Sequence, residues 1–270
     1  MSASPPGAVV DPVRLRAALS ERAWPALSVV DETGSTNADL ADAAASGRAG
    51  PGTVLVAGHQ TAGRGRLARA WTAPPWTSVA TSVLLAPRRP VEDWGWLSMI
   101  VGLAVATGIR EATGLAARLK WPNDVLLDGR KVCGILGQRV PGERPASVVG
   151  FGLNTTMTAA ELPVPTATSL DLAAAAGDIP APDPTDVLAA ILGDLAARLA
   201  RWDDGADPRP DYLALSDTVG RRVRVELPGG APPAEGEATG VDAGGRIVVH
   251  TVAGPRAFGA GDIVHLRPGE

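Results

Sequence analysis

Residues 120–136 read Lys120-Trp121-Pro122-Asn123-Asp124-Val125-Leu126-Leu127-Asp128-Gly129-Arg130-Lys131-Val132-Cys133-Gly134-Ile135-Leu136. An Asp-Gly pair between apolar runs is a hairpin-turn signal, so Asp124–Leu127 and Lys131–Val140 read as antiparallel strands. Pro122-Asn123-Asp124 reads as a turn leading out of an earlier strand over Leu115–Lys120. Ser147–Leu153 follows as another strand. Upstream, Asp93–Thr113 is apolar nearly all round, which predicts a long helix buried against that sheet.

The same stretch carries charge. Of the 25 basic residues, 23 are arginine, and the two lysines, Lys120 and Lys131, both lie here. A codon bias toward Ala, Gly, Pro and Arg accounts for the arginines. It does not account for two lysines retained 11 positions apart. Lysine offers a compact charge on a flexible stem where arginine offers a planar fork. The hairpin folds Lys131 back toward Lys120, and two ammonium groups converging at strand ends call for an anion. Lys120 and Asp124 also set opposite charges at one strand end, with the Asn123 amide between them.

Outward from this centre, residues 1–11 are rich in Ser, Pro, Gly and Ala and read as frayed. Asp11 caps a helix that starts at Pro12 and runs to about Arg22. Leu27–Val30 is a short strand, and Gly34-Ser35-Thr36-Asn37 opens a helix through about Ser46. Thr53–Gly58 and Thr77–Leu85 read as strands, with an aperiodic basic loop, Thr61–Pro75, between them. Leu162–Pro184 reads as a covering loop with a single helical turn. A helix from Asp183-Pro184 to about Trp202 carries Leu188, Leu192, Leu195 and Leu199 on one face. From about Thr218 to Glu270 the pattern changes to four or five short strands with Gly-rich turns, the signature of a small β-barrel or sandwich. This divides the chain into residues 1–217 and 218–270, the second too short to stand without leaning on the first.

Composition excludes several classes. With 270 residues, 45% apolar and 20% charged, the chain is globular rather than disordered. A single cysteine, Cys133, forbids an internal disulfide, and the three scattered histidines argue against a Cys/His zinc site. The net charge of −4 leaves no chain-wide cationic surface for nucleic acid. The longest uncharged apolar run, near Leu97–Ile109, is too short to cross a bilayer, and Met1–Val10 does not read as a secretory signal. The expectation is a cytoplasmic protein with no membrane partner.

Three further constellations stand out. Gln60-Thr-Ala-Gly-Arg-Gly-Arg-Leu-Ala-Arg-Ala-Trp71 sets Arg64, Arg66 and Arg69 within six residues of an otherwise acidic chain. Guanidinium forks suit carboxylate and phosphate, and the glycines allow close backbone approach. No Gly-Lys-Ser/Thr follows, so this is not a nucleotide P-loop. The loop has no apolar anchor between Ala62 and Leu67. Its three like charges predict that it orders when an anionic ligand binds. Ser35-Thr36-Asn37 supplies a helix N-cap, yet three consecutive hydrogen-bonding side chains exceed what capping needs, leaving a small polar ligand as the alternative. Gly150-Phe-Gly-Leu-Asn154 is a strand ending in Asn, or a bulge.

Taken together, Gly-Arg-Gly-Arg…Trp, Lys-Trp-Pro-Asn-Asp, Gly-Arg-Lys…Gly-Ile-Leu and Gly-Leu-Asn resemble the motifs of biotin–protein ligases in order and approximate spacing. The likeness runs from about Ser28 into the C-terminal strands. It implies an α+β catalytic domain related to class II aminoacyl-tRNA synthetases, with an SH3-like C-terminal domain. It implies two steps: biotin and MgATP give biotinyl-5′-adenylate, which then passes biotin to a lysine of a biotin carboxyl carrier domain. By the resemblance, Ser35, Thr36, Asn37 and Gln60 bind the biotin ureido end. Arg64, Gly65 and Arg66 close over the carboxylate and α-phosphate, with Lys131 and Gly134 beside them. Arg69, Trp71, Lys120, Asn123 and Asn154 lie on the nucleotide side with Arg66 and Lys131. The catalytic set is then Lys131, Arg66, Lys120 and Asp124. Asp124 orients Lys120, helps hold Mg2+, or receives the acceptor lysine's proton; the sequence does not separate these, and it names no metal ligands.

Two positions depart from the family pattern. Ala68 stands where the arginine loop usually has Gly, which predicts a slightly stiffer loop, and Gln138 stands where many members carry an acid. Some members also hold an N-terminal winged helix-turn-helix. Only 34 residues precede Ser35, so the expectation is a ligase that does not bind DNA, as a monomer or weak homodimer. A lipoate–protein ligase shares the chemistry but is not expected to pair Lys-Trp-Pro-Asn-Asp with this loop. A non-catalytic biotin-binding regulator has no use for the nucleotide-side cluster, and an RNA-binding synthetase relative wants a basic surface.

Overall fold

The computed structural model describes residues 9–140 and 145–266. Of the arm expected to fray, residues 1–8 lie outside the described residues, while Val10 is fully buried and the Asp11 amide donates to Thr185 Oγ1 at 3.1 Å. Asp11 caps α1 (Pro12–Ala18) by accepting from the amides of Val13 and Arg14. The helix stops short of Arg22 because the chain turns to bury Trp24, whose indole donates to the Leu192 carbonyl at 3.0 Å.

β1 (Ala26–Thr33), α2 (Thr36–Ala45), β2 (Thr53–Gln60) and β3 (Ser78–Leu85) follow. The long apolar segment is a 3₁₀ turn at Val91–Trp96 and then α3 (Leu97–Thr113). The α-helix begins later than the apolar pattern suggests because Trp94 and Trp96 are spent as anchors. Their indoles donate to the carbonyls of Arg89 and Ala243. β4 (Arg118–Lys120), β5 (Asp124–Leu127), β6 (Arg130–Val140) and β7 (Ala146–Asn154) follow, with the expected hairpin between β5 and β6. The covering loop contains α4 (Leu170–Ala176), a full short helix capped by Ser169, where a single turn was expected. α5 (Pro184–Asp203) is capped by Asp183, and α6 (Arg209–Leu215), which no periodicity announced, packs Tyr212 edge-on to Trp96.

The seven strands form one sheet in the order β1-β2-β3-β7-β6-β5-β4, with β1 and β2 parallel and every other pair antiparallel. α3 and α5 cover one face through residues such as Val83, Val149 and Phe151. The alternate residues Leu84 and Val148 pack with Leu40 and Ala41 of α2 on the other face. β3 is buried along its whole length. Five more strands, β8 (Arg222–Glu226), β9 (Ala234–Val241), β10 (Ile247–Thr251), β11 (Gly254–Phe258) and β12 (Asp262–His265), make an antiparallel sheet ordered β11-β10-β9-β8-β12. Its inner residues Val223, Val225, Ile247 and Val249 belong to the same hydrophobic cluster as α3 and α5. The small sheet thus leans on the larger one, as its length requires. Among the described residues no helix is long and apolar enough to cross a membrane.

Candidate active site

Register decides the floor of the site. On the α2 face, Ala80, Ser82 and Ser78 of β3 stand opposite Gly152, Gly150 and Asn154 of β7. Gly134 and Leu136 of β6 stand opposite Gly152 and Gly150 from the other side. Beyond the N-terminal end of α2 the sheet is therefore paved with small residues. A cleft of about 500 Å³ opens above Ala80, Gly134, Gly150 and Gly152. Every residue that the sequence put forward as a site residue lines it: Ser35, Thr36, Asn37, Gln60, Arg64, Gly65, Arg66, Arg69, Trp71, Lys120, Asn123, Asp124, Lys131, Gly134 and Asn154.

One end is neutral and hydrogen-bonded. Ser35 occupies the N-cap position of α2, but its side chain makes no capping bond. The Thr36 amide donates instead to Gln60 Oε1 at 2.9 Å, and the Thr36 hydroxyl lies 3.1 Å from the same oxygen. Gln60, 24 positions away, thus does the capping and leaves the buried Ser35 hydroxyl to face the cleft. Ser82 Oγ lies 2.8 Å from Thr36 Oγ1 and 2.6 Å from Asn37 Oδ1, and Asn37 Nδ2 donates to the Leu136 carbonyl at 3.0 Å. These buried groups are mutually satisfied, which fixes their geometry before a ligand arrives. Ser82 is a member that the sequence did not reveal, since a serine inside an apolar strand carries no signal of its own.

The other end is cationic. Five basic side chains (Arg64, Arg66, Arg69, Lys120, Lys131) and two acidic ones (Asp124, Asp262) line the cleft of a chain whose net charge is −4. The arginine loop closes on itself: the Gly65 amide donates to the Arg69 carbonyl at 2.7 Å, and the Trp71 amide to the Gly63 carbonyl at 2.9 Å. Leu67, at φ 54°, turns its tip. The side chain of Ala68 lies outside the described residues. Arg66 Nη1 donates to Asn123 Oδ1 at 3.1 Å, and Arg66 Nη2 donates to the Gly261 carbonyl at 3.1 Å. Asp262 pairs with Arg66 at 3.4 Å and with Arg69 at 2.5 Å, while Arg64 has no ion pair among the described residues. Asp262 was not among the expected site residues. A lone Gly-Asp before a short strand near the C-terminus says nothing about a loop 196 positions away.

Lys131 reaches the cleft through a β-bulge. Val125 pairs with Cys133 and Leu126 with Lys131, so Val132 is the extra residue. Strict alternation from Gly134 would send Lys131 to the core face; the bulge turns it to the cleft. There its Nζ lies 2.6 Å from Asp124 Oδ1 and 5.8 Å from the centre of the Trp71 ring. Asp124 therefore pairs with Lys131 and not with Lys120, its register neighbour on β4. Lys120 has no ion pair among the described residues. Trp71 lies flat on the glycine floor: a Cβ at Gly152 would come within 2.5 Å of its ring. Asn154 Nδ2 donates to the Thr168 carbonyl at 2.9 Å, whereas its Oδ1 is buried and without a partner. That orphan acceptor suits a donor on a ligand. Gly150-Phe-Gly-Leu-Asn154 pairs in regular register with β3, not as a bulge. Gln138 does not line the cleft.

Two neighbouring groups make simple expectations. Cys133 is fully buried, and burial, reinforced by Asp124, pushes its thiol far up against the opposing effect of Lys131. Alkylation of the native protein at pH 8 should be about a hundredfold slower than after unfolding; equal rates would refute this burial. His265 accepts or donates at Thr218 Oγ1, 3.2 Å away, and its pKa is pushed down to about 4, by burial first, then by Lys120 and Arg221, against Asp217. Between pH 6.5 and about 4 the unfolded chain binds a proton that the folded protein refuses, so stability falls as pH falls through that window. His265 should cost on the order of 1–2 kcal/mol at pH 5. Urea unfolding at pH 7.5 and pH 5 checks this: the loss should shrink in His265→Gln, and an identical loss would count against it.

Known proteins resemble the chain in both sequence and fold. Residues 30–154 match the biotin/lipoate A/B protein ligase family, and residues 218–266 match the biotin protein ligase C-terminal domain. The chain is 41% identical to the biotin–[acetyl-CoA-carboxylase] ligase of Mycobacterium tuberculosis, over 96% of this chain and all of that one. It is 36% identical to the bifunctional ligase/repressor BirA of Bacillus subtilis, but over only 50% of this chain and 41% of that one. Among solved structures, the biotin protein ligase of Aquifex aeolicus in complex with biotin and ATP superposes with a TM-score of 0.73 at 27% identity, covering 90% of this chain and all of that one. Its mixed sheet and C-terminal β-structure are those of the class II synthetase-like ligase fold. With sequence and fold in agreement along nearly its whole length, the chain belongs to the biotin protein ligase family.

Proposed function

We propose that the chain activates biotin with ATP as biotinyl-5′-adenylate and transfers the biotinyl group to a lysine of a biotin carboxyl carrier domain. The observation that carries this reading is the division of one cleft into a neutral, prearranged hydrogen-bonding end and a cationic end. A small polar ring with an anionic tail fits the first, and a phosphate chain fits the second.

A carboxylate is a poor electrophile, and joining it to a phosphate brings two anions together. Catalysis is then chiefly positioning and charge stabilisation. Ser35, Thr36, Asn37 and Gln60 hold the ureido end. Arg64, Gly65 and Arg66 lie over the carboxylate and α-phosphate. A carboxylate oxygen attacks the α-phosphorus and pyrophosphate leaves. Lys131, oriented by Asp124 and seated beside Gly134, places its charge at the reacting oxygens. Arg69, Trp71, Lys120, Asn123 and Asn154 form the nucleotide side, with Trp71 beside the base and Asn154 Oδ1 offering an acceptor. In the second step the acceptor lysine's amine attacks the acyl carbon and AMP leaves.

Magnesium enters as part of the nucleotide substrate. Among the described residues no three metal-ligating side chains converge, and both carboxylates of the cleft are paired with cations. That donor set fits an ion carried on the phosphates with most of its water rather than one caged by protein.

Pyrophosphate release on adding ATP with biotin, against ATP with lipoate, tests the reading. Release with ATP and biotin, and not with ATP and lipoate, is expected, followed by label transfer from biotin to a carrier domain. Release with lipoate in place of biotin would overturn it.

A further inference from the structure

Biotinyl-5′-adenylate is a mixed anhydride, and outside the cleft any free amine can take its acyl group. The amine's lone pair attacks the acyl carbon, and the bond from that carbon to the phosphate oxygen breaks. AMP leaves with the electron pair, and the amine's proton passes to water. The first surface that a departing adenylate meets is the enzyme's own.

That surface holds no lasting acceptor among its side chains. The chain has two lysines, one cysteine and one tyrosine. Lys120 and Lys131 both line the cleft, and Lys131 is paired with Asp124 at 2.6 Å. Cys133 is fully buried and Tyr212 is 2% exposed. The remaining 23 basic residues are arginines, whose guanidinium stays protonated and spreads its charge. Hydroxyls are weak nucleophiles unless an adjacent base activates them. The Thr218 hydroxyl has such a neighbour in His265, 3.2 Å away, but Thr218 is fully buried. An acyl group on imidazole is lost to water, so the histidines keep none. Codon bias accounts for the arginines, and the consequence for reactivity holds whatever its cause.

We propose that the chain is inert to its own activated product: biotinyl-5′-adenylate that leaves the cleft forms no stable bond with any side chain of this enzyme, and is spent on amines of other proteins or on water. This rests on the reading that the cleft makes that adenylate. It also means that the two side-chain amines of the chain are kept where they serve as cations for substrate anions.

The test adds biotinyl-5′-adenylate directly to the wild type and to Arg22→Lys and Arg222→Lys, at two exposed positions outside the cleft. At pH 8.5 about 1% of an exposed lysine is free amine. Intact mass and peptide mapping read the label and separate side chains from the terminal α-amine. The wild type should carry no side-chain biotin. Each variant should gain biotin at its new lysine, about tenfold or more above the wild-type level, with unchanged pyrophosphate release from ATP and biotin. Stable biotin on a wild-type side chain would overturn the proposal. So would variants labelled no more than the wild type, since the missing surface amines would then not be what protects it. If the wild type releases no pyrophosphate with ATP and biotin, the functional reading fails, and the added adenylate still decides whether the surface is inert.

Discussion

Replacing Lys131 with alanine is expected to lower biotin-dependent pyrophosphate release on the order of 10²-fold or more, the cost of removing one electrostatic stabiliser from a prearranged site. Arginine is not expected to restore it. The Lys131 ammonium sits 2.6 Å from Asp124 and beside the Trp71 ring, over a Gly134 position where even a Cβ would come within 3.0 Å of Nζ. A guanidinium is wider and planar, and it spreads its charge over three nitrogens. It cannot keep the Asp124 contact in that slot without displacing Trp71. Because Asp124 loses its partner in Lys131→Ala, a parallel Asp124→Asn/Lys131→Ala double variant separates the unpaired carboxylate from the missing cation. A Lys131→Arg protein with near-normal pyrophosphate release would refute the argument.

The second large effect is expected at Gly150. A methyl group there would stand 2.1 Å from Asn37 Oδ1 and 2.8 Å from Ser82 Oγ, inside the network that fixes the neutral end of the cleft. Gly150→Ala must push Asn37 away and so break its bond to the Leu136 carbonyl. Biotin affinity should fall about 10- to 100-fold, the range for losing one or two buried hydrogen bonds. Overpacking should also cost about 1–3 kcal/mol of stability. Calorimetric titration with biotin and urea unfolding measure the two effects. Gly193→Ala is the control: within α5 a Cβ there meets nothing within 4 Å, so it should be neutral or stabilising by up to about 1 kcal/mol. Undiminished biotin binding in Gly150→Ala would show that the network does not shape the site.

Much of this molecule was legible in its residues because the signals were local. Asp11 and Asp183 mark helix starts through a side-chain oxygen within three positions of the amides that it caps. Asp128-Gly129 marks a hairpin because only that turn follows the strand twist. Arginine and lysine in an acidic chain mark an anion's place through composition alone, and the motif resemblance followed from their spacing. The less legible elements lacked such signals. α6 is too short for periodicity to register, and α3 starts late because two tryptophans prefer distant carbonyls to helical positions.

By itself, then, the sequence determined which residue types gather, in what order, and that they suit a carboxylate and a phosphate. Tertiary structure decided who pairs with whom. Lys131 lies on the cleft face only because Val132 is extra in the ladder, a one-residue shift that reverses the face of every side chain beyond it. Asp124 then takes Lys131 rather than its neighbour Lys120. The α2 N-terminus is capped by Gln60, not by the serine that precedes it. Asp262 meets the arginine loop because the small sheet must bury its apolar face on the large one, and that packing carries β12 to the rim of the cleft. Contacts across such separations are set by which faces exclude water together, and no local pattern encodes them.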